Sequence, residues 1–195
     1  MNSNNSNPPP RPLQFHDVGA DGNCFYAALI AATEASIDPF LLRSFVAKSL
    51  LIDQSLLGNL YNVLRACPQV RSNYPLASGC TNVDQDAFML ACQSNVQRND
   101  VWASEVEHTV MKKALCDHGI DLLTCFIKRP RELRDERHMY GLLLEIISKQ
   151  STQALEKCII LININNQHYM YMTCLDRGII SKRVLRRAIC VPYDR

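Results

Sequence analysis

From Cys24 onward the apolar positions Phe25, Ala28, Leu29 and Ala32 recur three and four residues apart, which puts them on one side of a helix running to about Ala35. Gly19 to Asn23 is the loop that leads into it. Asp38 followed by Pro39 marks the next helix start, because an aspartate caps free N–H groups and proline is tolerated at the first helical position; this helix is expected to reach about Leu51. From 52 to 100 the pattern weakens. Leu56, Leu57, Leu60, Val63 and Leu64 suit a short helix, but Pro68, Asn73, Pro75 and Gly79 interrupt, so this stretch reads as a variable, partly helical arm. Further helices are predicted from about Asp84 to Cys92 and from Ala103 to Gly119, the second with Val106, Val110, Ala114 and Leu115 on one face and Gly119 at its end. Asp121 to Ile127 and Cys158 to Thr173 are β-prone and are separated by a charged helix around Arg131 to Lys149. After a basic segment from Arg177, the last apolar run, Ala188 to Val191, reads as a final strand. The whole predicts an α+β fold, rich in helix on a small central sheet.

At 195 residues the chain is long enough for one domain with a buried core and short for two. Residues 1–12, Asn, Ser and Pro with one Arg, bury too little apolar surface to order and read as a flexible tail; residues 13–195 are expected to form the single domain. A content of 47% hydrophobic and 21% charged residues is that of a globular chain. The formal net charge of +2 gives no reason to expect a nucleic acid partner. Nine cysteines, an odd number with no Cys-x-x-Cys pair, suggest neither a disulfide framework nor a zinc ribbon, and a reducing compartment is expected. No stretch resembles a secretory signal or a membrane span. Cytoplasm is the expected location, which would be host cytoplasm for a delivered effector or a viral protein.

The first chemistry-bearing feature is Cys24, at the point where a glycine-containing loop becomes a helix. Unpaired N–H groups and the positive end of the helix dipole favour a thiolate there, so a lowered thiol pKa is expected. The N–H groups of Asp21, Gly22 and Asn23 could also hold an oxyanion. A thiolate attacking an amide needs a base that later protonates the leaving amine. Of His16, His108, His118, His138 and His168, the last is best placed. It follows the apolar strand from Cys158 to Ile164 and precedes Tyr169 to Met172, and a strand holds a side chain precisely.

Asp21-Gly22-Asn23-Cys24-Phe25-Tyr26 resembles the Asp-Gly-x-Cys-hydrophobic-aromatic motif of the ovarian-tumour (OTU) cysteine peptidases, and Asn166-Gln167-His168-Tyr169 resembles their C-terminal His-aromatic motif. Leu42-Arg43 with Val46-Ala47 is similar to the family's Leu-Arg helix, and Val101 to Glu107 to its Trp-containing helix start. The four pieces stand in the family's order and span about residues 14–173. The resemblance implies a papain-like α/β/α sandwich and a deubiquitinase. Such an enzyme hydrolyses the isopeptide bond after ubiquitin's C-terminal glycine through a Cys24 thioester, without metal or cofactor. The partner implied is ubiquitin or polyubiquitin, with the enzyme a monomer and neither membrane nor nucleic acid involved.

One departure concerns the residue that orients the histidine. Many family members carry Asp or Asn two positions after it, where this chain has Met170, which makes no proper hydrogen bond. Asp17 is the favoured substitute, as an upstream Asp is in some relatives, and Asn166 is the second candidate. Trp102, Asn166 and Tyr169 are candidates for lining the substrate channel. Asp84, Asp86, Asp100, Glu105 and Glu107 are candidates for gripping ubiquitin's basic tail. Two rival functions share the motifs: a ubiquitin-binding module with weak catalysis, and a cysteine protease acting on a ubiquitin-like modifier or a polyprotein.

Overall fold

The structure is a computed structural model. It describes residues 13–19, 21–53, 85–99, 101–103, 105–150, 154–165 and 167–190, with 55, 58 and 62 singly. Most of the predicted arm therefore lies outside the described residues. The fold is organised on a mixed sheet whose long central strand is β3 (Lys157–Ile164), seven of whose eight residues are buried. β2 (Ile120–Ile127) runs parallel to it, while β4 (His168–Cys174) returns antiparallel on its other side and pairs in turn with β1 (Leu13–Asp17). The short β5 (Ile180–Ser181) extends the β4 side against the start of β3.

Strand alternation sends side chains to opposite faces, and here both faces are covered. Ile159 and Leu161 of β3, with Leu122 and Tyr169, meet α1 (Cys24–Thr33), α2 (Pro39–Ile52), α3 (Gln85–Gln97) and α4 (Glu105–Asp117) in one apolar cluster. Cys158, Ile160, Ile162 and Ile164, with Met170 and Met172, meet α5 (Glu136–Lys149) and α6 (Lys182–Cys190) in a second. The result is an α/β/α sandwich, in which each buried Ile or Leu contributes roughly 1.5–3 kcal/mol. The exposed edge of β2 is closed by a side chain: Thr124 N–H donates to the Gln150 carboxamide oxygen and its carbonyl accepts from the Gln150 amide, both at 3.2 Å. That amide occupies the position of a neighbouring strand and blocks edge-to-edge pairing at that point.

Local signals set most boundaries. Asp38 caps α2 by accepting from Phe40 N–H at 2.7 Å, with Pro39 as the first helical residue. α1 stops at Thr33, two residues short of expectation, because Glu34 adopts φ 56° and the N–H groups of Glu34 and Ala35 close back on Ala31 and Ile30. Gly119, at φ +75°, ends α4 as predicted. The charged helix is divided into a 3-10 turn, Pro130–Arg134, and α5, which Asp135 caps through His138 N–H.

Ala188 to Cys190 of the expected final strand are helical instead, and Val191 lies outside the described residues. Leu185 and Ile189, four apart, both point into the second cluster, and the residues before them supply the N-terminal cap. Ser181 Oγ accepts from Val184 N–H, and Glu156 accepts from Ser181 Oγ and Arg183 N–H. The buried Lys182–Asp121 ion pair, 2.8 Å, fastens the start of α6 to β2.

Gly178 lies in the turn between β4 and β5, and a Cβ there would run into the backbone of Ala32 at the end of α1. This approach fixes where α1 sits on the sheet. Gly178→Ala is expected to destabilise the protein by roughly 1–3 kcal/mol, read as a lower midpoint in urea unfolding; an unchanged midpoint would contradict this packing.

Candidate active site

α1 begins at Cys24, and its helical backbone carries the thiol to the start of β4. There Tyr169 N–H donates to Sγ at 3.4 Å, and Sγ lies 3.9 Å from the Gln167 carbonyl oxygen. The thiol thus rests against the chain on both sides of His168. The imidazole is held by Asp17, whose Oδ1 lies 3.0 Å from Nε2. Nδ1 is buried and has no hydrogen-bond partner among the described residues, so it is the nitrogen left available for a proton.

The strand register explains the Asp17 contact. Asp17 of β1 stands opposite Met170 of β4, and His168, two residues before Met170, projects on the same face. A carboxylate on the adjacent strand is thereby brought to the imidazole that Met170 cannot serve. The same Asp17 oxygen accepts from Gly19 N–H at 2.9 Å, in a turn that Gly19 makes with φ +89°. That N–H is the main reason the Asp17 carboxyl is held below the ordinary carboxylate range, with His168 contributing. Asn166 lies outside the described residues.

The loop before Cys24 is organised by a residue from another element. Arg43, on α2, is 0% exposed. Its Nε donates to Asn23 Oδ1 at 2.8 Å, and its terminal nitrogens donate to the carbonyls of Gly22 at 2.6 Å, Val96 at 2.8 Å and Val101 at 2.8 Å. The guanidinium also lies 4.6 Å over the Tyr26 ring. Asp21 completes the loop: its side chain accepts from Asn23 N–H at 2.8 Å and its carbonyl from Cys24 N–H at 3.2 Å.

The expectation of a lowered thiol pKa is corrected. Cys24 is 1% exposed, and burial pushes its thiol above the ordinary range. The Tyr169 N–H opposes this, the nearby Asp21 carboxylate adds to it, and the N–H groups at the helix start are too weak to reverse the sum. The resting thiol is protonated.

Other sequence candidates divide. Trp102 is 37% exposed and follows Val101, whose carbonyl Arg43 holds. Tyr169 is a correction, because alternation along β4 turns its ring into the core, 5.0 Å from Phe25, while its backbone N–H donates to the thiol. Glu107 is also corrected: it is fully buried and cannot grip an exposed peptide. Asp84 and Asp100, and the side chains of Asp86 and Glu105, lie outside the described residues. His16 bonds Thr173 Oγ1 at 2.8 Å and stacks on Tyr171, on the face away from His168. His108 bonds Thr124 Oγ1 at 2.6 Å, and burial lowers it to about 4. Among the described residues no group of His, Cys, Asp or Glu could hold a metal ion, and no helix is long and apolar enough to cross a membrane. Sequence reasoning missed the reach of Arg43; a lone Arg amid the apolar positions of α2 was the available signal.

Because the thiol is raised, alkylation of Cys24 by iodoacetamide should be slow at neutral pH and still accelerate above pH 9. Asp21→Asn keeps an acceptor for the Asn23 N–H but removes the charge, so it should speed alkylation at pH 8 by about two- to fivefold. A pH-independent rate persisting down to pH 6 would contradict the protonated resting state.

No protein-family model and no curated protein sequence matches the chain. Among solved structures, the chain is similar to one described as an ovarian tumour (OTU) domain in complex with ubiquitin. The two share 16% identity, with a TM-score of 0.49 over 91% of this chain and 83% of that one.

Proposed function

We propose that the protein is a cysteine isopeptidase that cleaves ubiquitin conjugates. The observation that carries this reading is the meeting of three elements: a thiol at a helix start, the backbone flanking His168, and a carboxylate on one ring nitrogen of His168. The motif resemblance around Cys24 and His168 supports ubiquitin as the modifier.

In this reading Cys24 Sγ–H gives its proton to His168 Nδ1 as sulfur attacks the carbonyl carbon after ubiquitin's last glycine, and the C=O electron pair moves onto oxygen. Asp17 keeps Nδ1 directed inward and stabilises the imidazolium that forms. As the oxyanion collapses, the C–N bond breaks, the lysine amine leaves with the proton from Nδ1, and a thioester remains. Water then attacks the thioester with His168 as base, releasing the ubiquitin carboxylate and restoring the thiol. Each carbonyl addition requires donors for the developing negative oxygen, and loss of one such donor typically slows an enzyme by about 100- to 1,000-fold.

The buried, protonated thiol favours one second reading, a ubiquitin-binding module with weak catalysis. A ubiquitin derivative with a C-terminal electrophile separates the two. Isopeptidase function predicts covalent capture that Cys24→Ala abolishes, together with cleavage of at least one linkage in a complete di-ubiquitin panel. Reversible binding without capture supports the module instead. Capture of a ubiquitin-like modifier but not ubiquitin keeps the chemistry and changes the substrate.

A further inference from the structure

The Gly22–Asn23 peptide has its two polar groups committed in opposite directions. Its carbonyl accepts from Arg43 at 2.6 Å inside the protein, and its N–H donates at 2.8 Å to the Asp21 carboxylate, whose residue is exposed. In a trans peptide the C=O and N–H point opposite ways, so holding the carbonyl inward fixes the N–H outward. Arg43 grips the plane at a second point through Asn23 Oδ1 and is itself held by the carbonyls of Val96 and Val101. The guanidinium cannot turn without breaking four hydrogen bonds.

The group now on that N–H is an anionic oxygen, which is what the tetrahedral intermediate would present. The Cys24 N–H is bonded to a backbone carbonyl, whereas the Asn23 N–H is bonded to a side chain that can swing into solvent. Of the two donors, only the second can be vacated without moving the chain. We infer that Arg43 is a positioning residue that aims the Asn23 N–H as the donor for the reaction's oxyanion, with the Asp21 carboxylate as its resting occupant. This rests on the proposed thiol-peptidase reading and adds to it the part that α2 plays. Attack on the bound carbonyl would leave one anionic oxygen in place of another on a donor already in position. Arg43 makes the exchange possible without touching substrate.

The test is Arg43→Lys, which keeps a positive charge and a long stem but cannot reach four acceptors at once. The probe is the small aldehyde acetyl-glycyl-glycinal, labelled with carbon-13 at the aldehyde, which adds the Cys24 thiol to give a hemithioacetal whose oxygen stands in for the oxyanion. Its NMR signal reports adduct affinity without any ubiquitin. Iodoacetamide is the control, because displacement of iodide creates no oxyanion. The expected result is an adduct weakened about 30-fold or more, with alkylation of Cys24 within about threefold of wild type. On any ubiquitin conjugate that is a substrate, kcat should fall about 100-fold with KM little changed.

Equal adduct affinity in variant and wild type would overturn the inference. So would parallel loss of adduct affinity and alkylation, which marks a merely structural role, and so would failure of wild type to form any adduct. If Arg43→Lys does not fold, Asn23→Ala decides: it removes one of the two grips yet keeps the N–H, and should weaken the adduct about fivefold to tenfold, with undiminished affinity counting against. An Arg43-dependent adduct in a protein that cleaves no ubiquitin conjugate would sustain the inference while removing ubiquitin as substrate.

Discussion

A single buried cation ties together the helical layer that carries Cys24. Arg43 is fully enclosed, and an isolated charge in that position would cost several kcal/mol. Its cost is offset by hydrogen bonds to the loop before α1, the end of α3 and the turn before α4, and by the face of the Tyr26 ring. Each partner is a backbone carbonyl or a side chain that would otherwise need one. The loop before α1, α2 itself and the stretch that joins α3 to α4 are therefore mutually fixed, and the start of α1 inherits their rigidity. Gly178 sets the other end of the same helix by close contact with Ala32.

Across from that layer, the sheet fixes His168. β3 is buried on both faces, so its register with β4 cannot slip without exposing a row of apolar side chains. β4 in turn fixes β1, and this second register brings Asp17 to His168. Met170 then serves only packing, in the second apolar cluster. The carboxylate at the imidazole comes from the neighbouring strand, at the position directly opposite Met170. Burial of Cys24 and the carboxylate of Asp21 meanwhile hold the resting thiol neutral.

Much of this was legible in the sequence because local rules sufficed. The apolar spacing after Cys24, the Asp38-Pro39 start, Gly119 and the run from Cys158 to Ile164 each carry their own structural signal, and the α+β architecture follows from their order. What failed depended on tertiary context. Ala188 to Cys190 looks like a strand taken alone, and becomes helical only once Leu185 and Ile189 are read together as a buried pair behind a Ser181 cap. The state of the thiol follows from burial, which a helix start does not reveal. Tyr169 suited a channel and Glu107 a grip on a basic tail, yet one is turned inward by strand alternation and the other lies on the covered side of α4. Asp17 could be nominated from the motif's missing member, but only the β1–β4 register brings it to the ring.

The most direct measurement of the central claim, that Cys24 and His168 act as a pair held by Asp17 from the adjacent strand, is the turnover of Asp17→Ala on a ubiquitin conjugate that wild type cleaves. The account predicts that kcat falls at least about tenfold, because the imidazole loses both its orientation and its counter-charge, while KM stays near wild type. Turnover within about twofold of wild type would contradict it and leave His168 without an orienting role for Asp17.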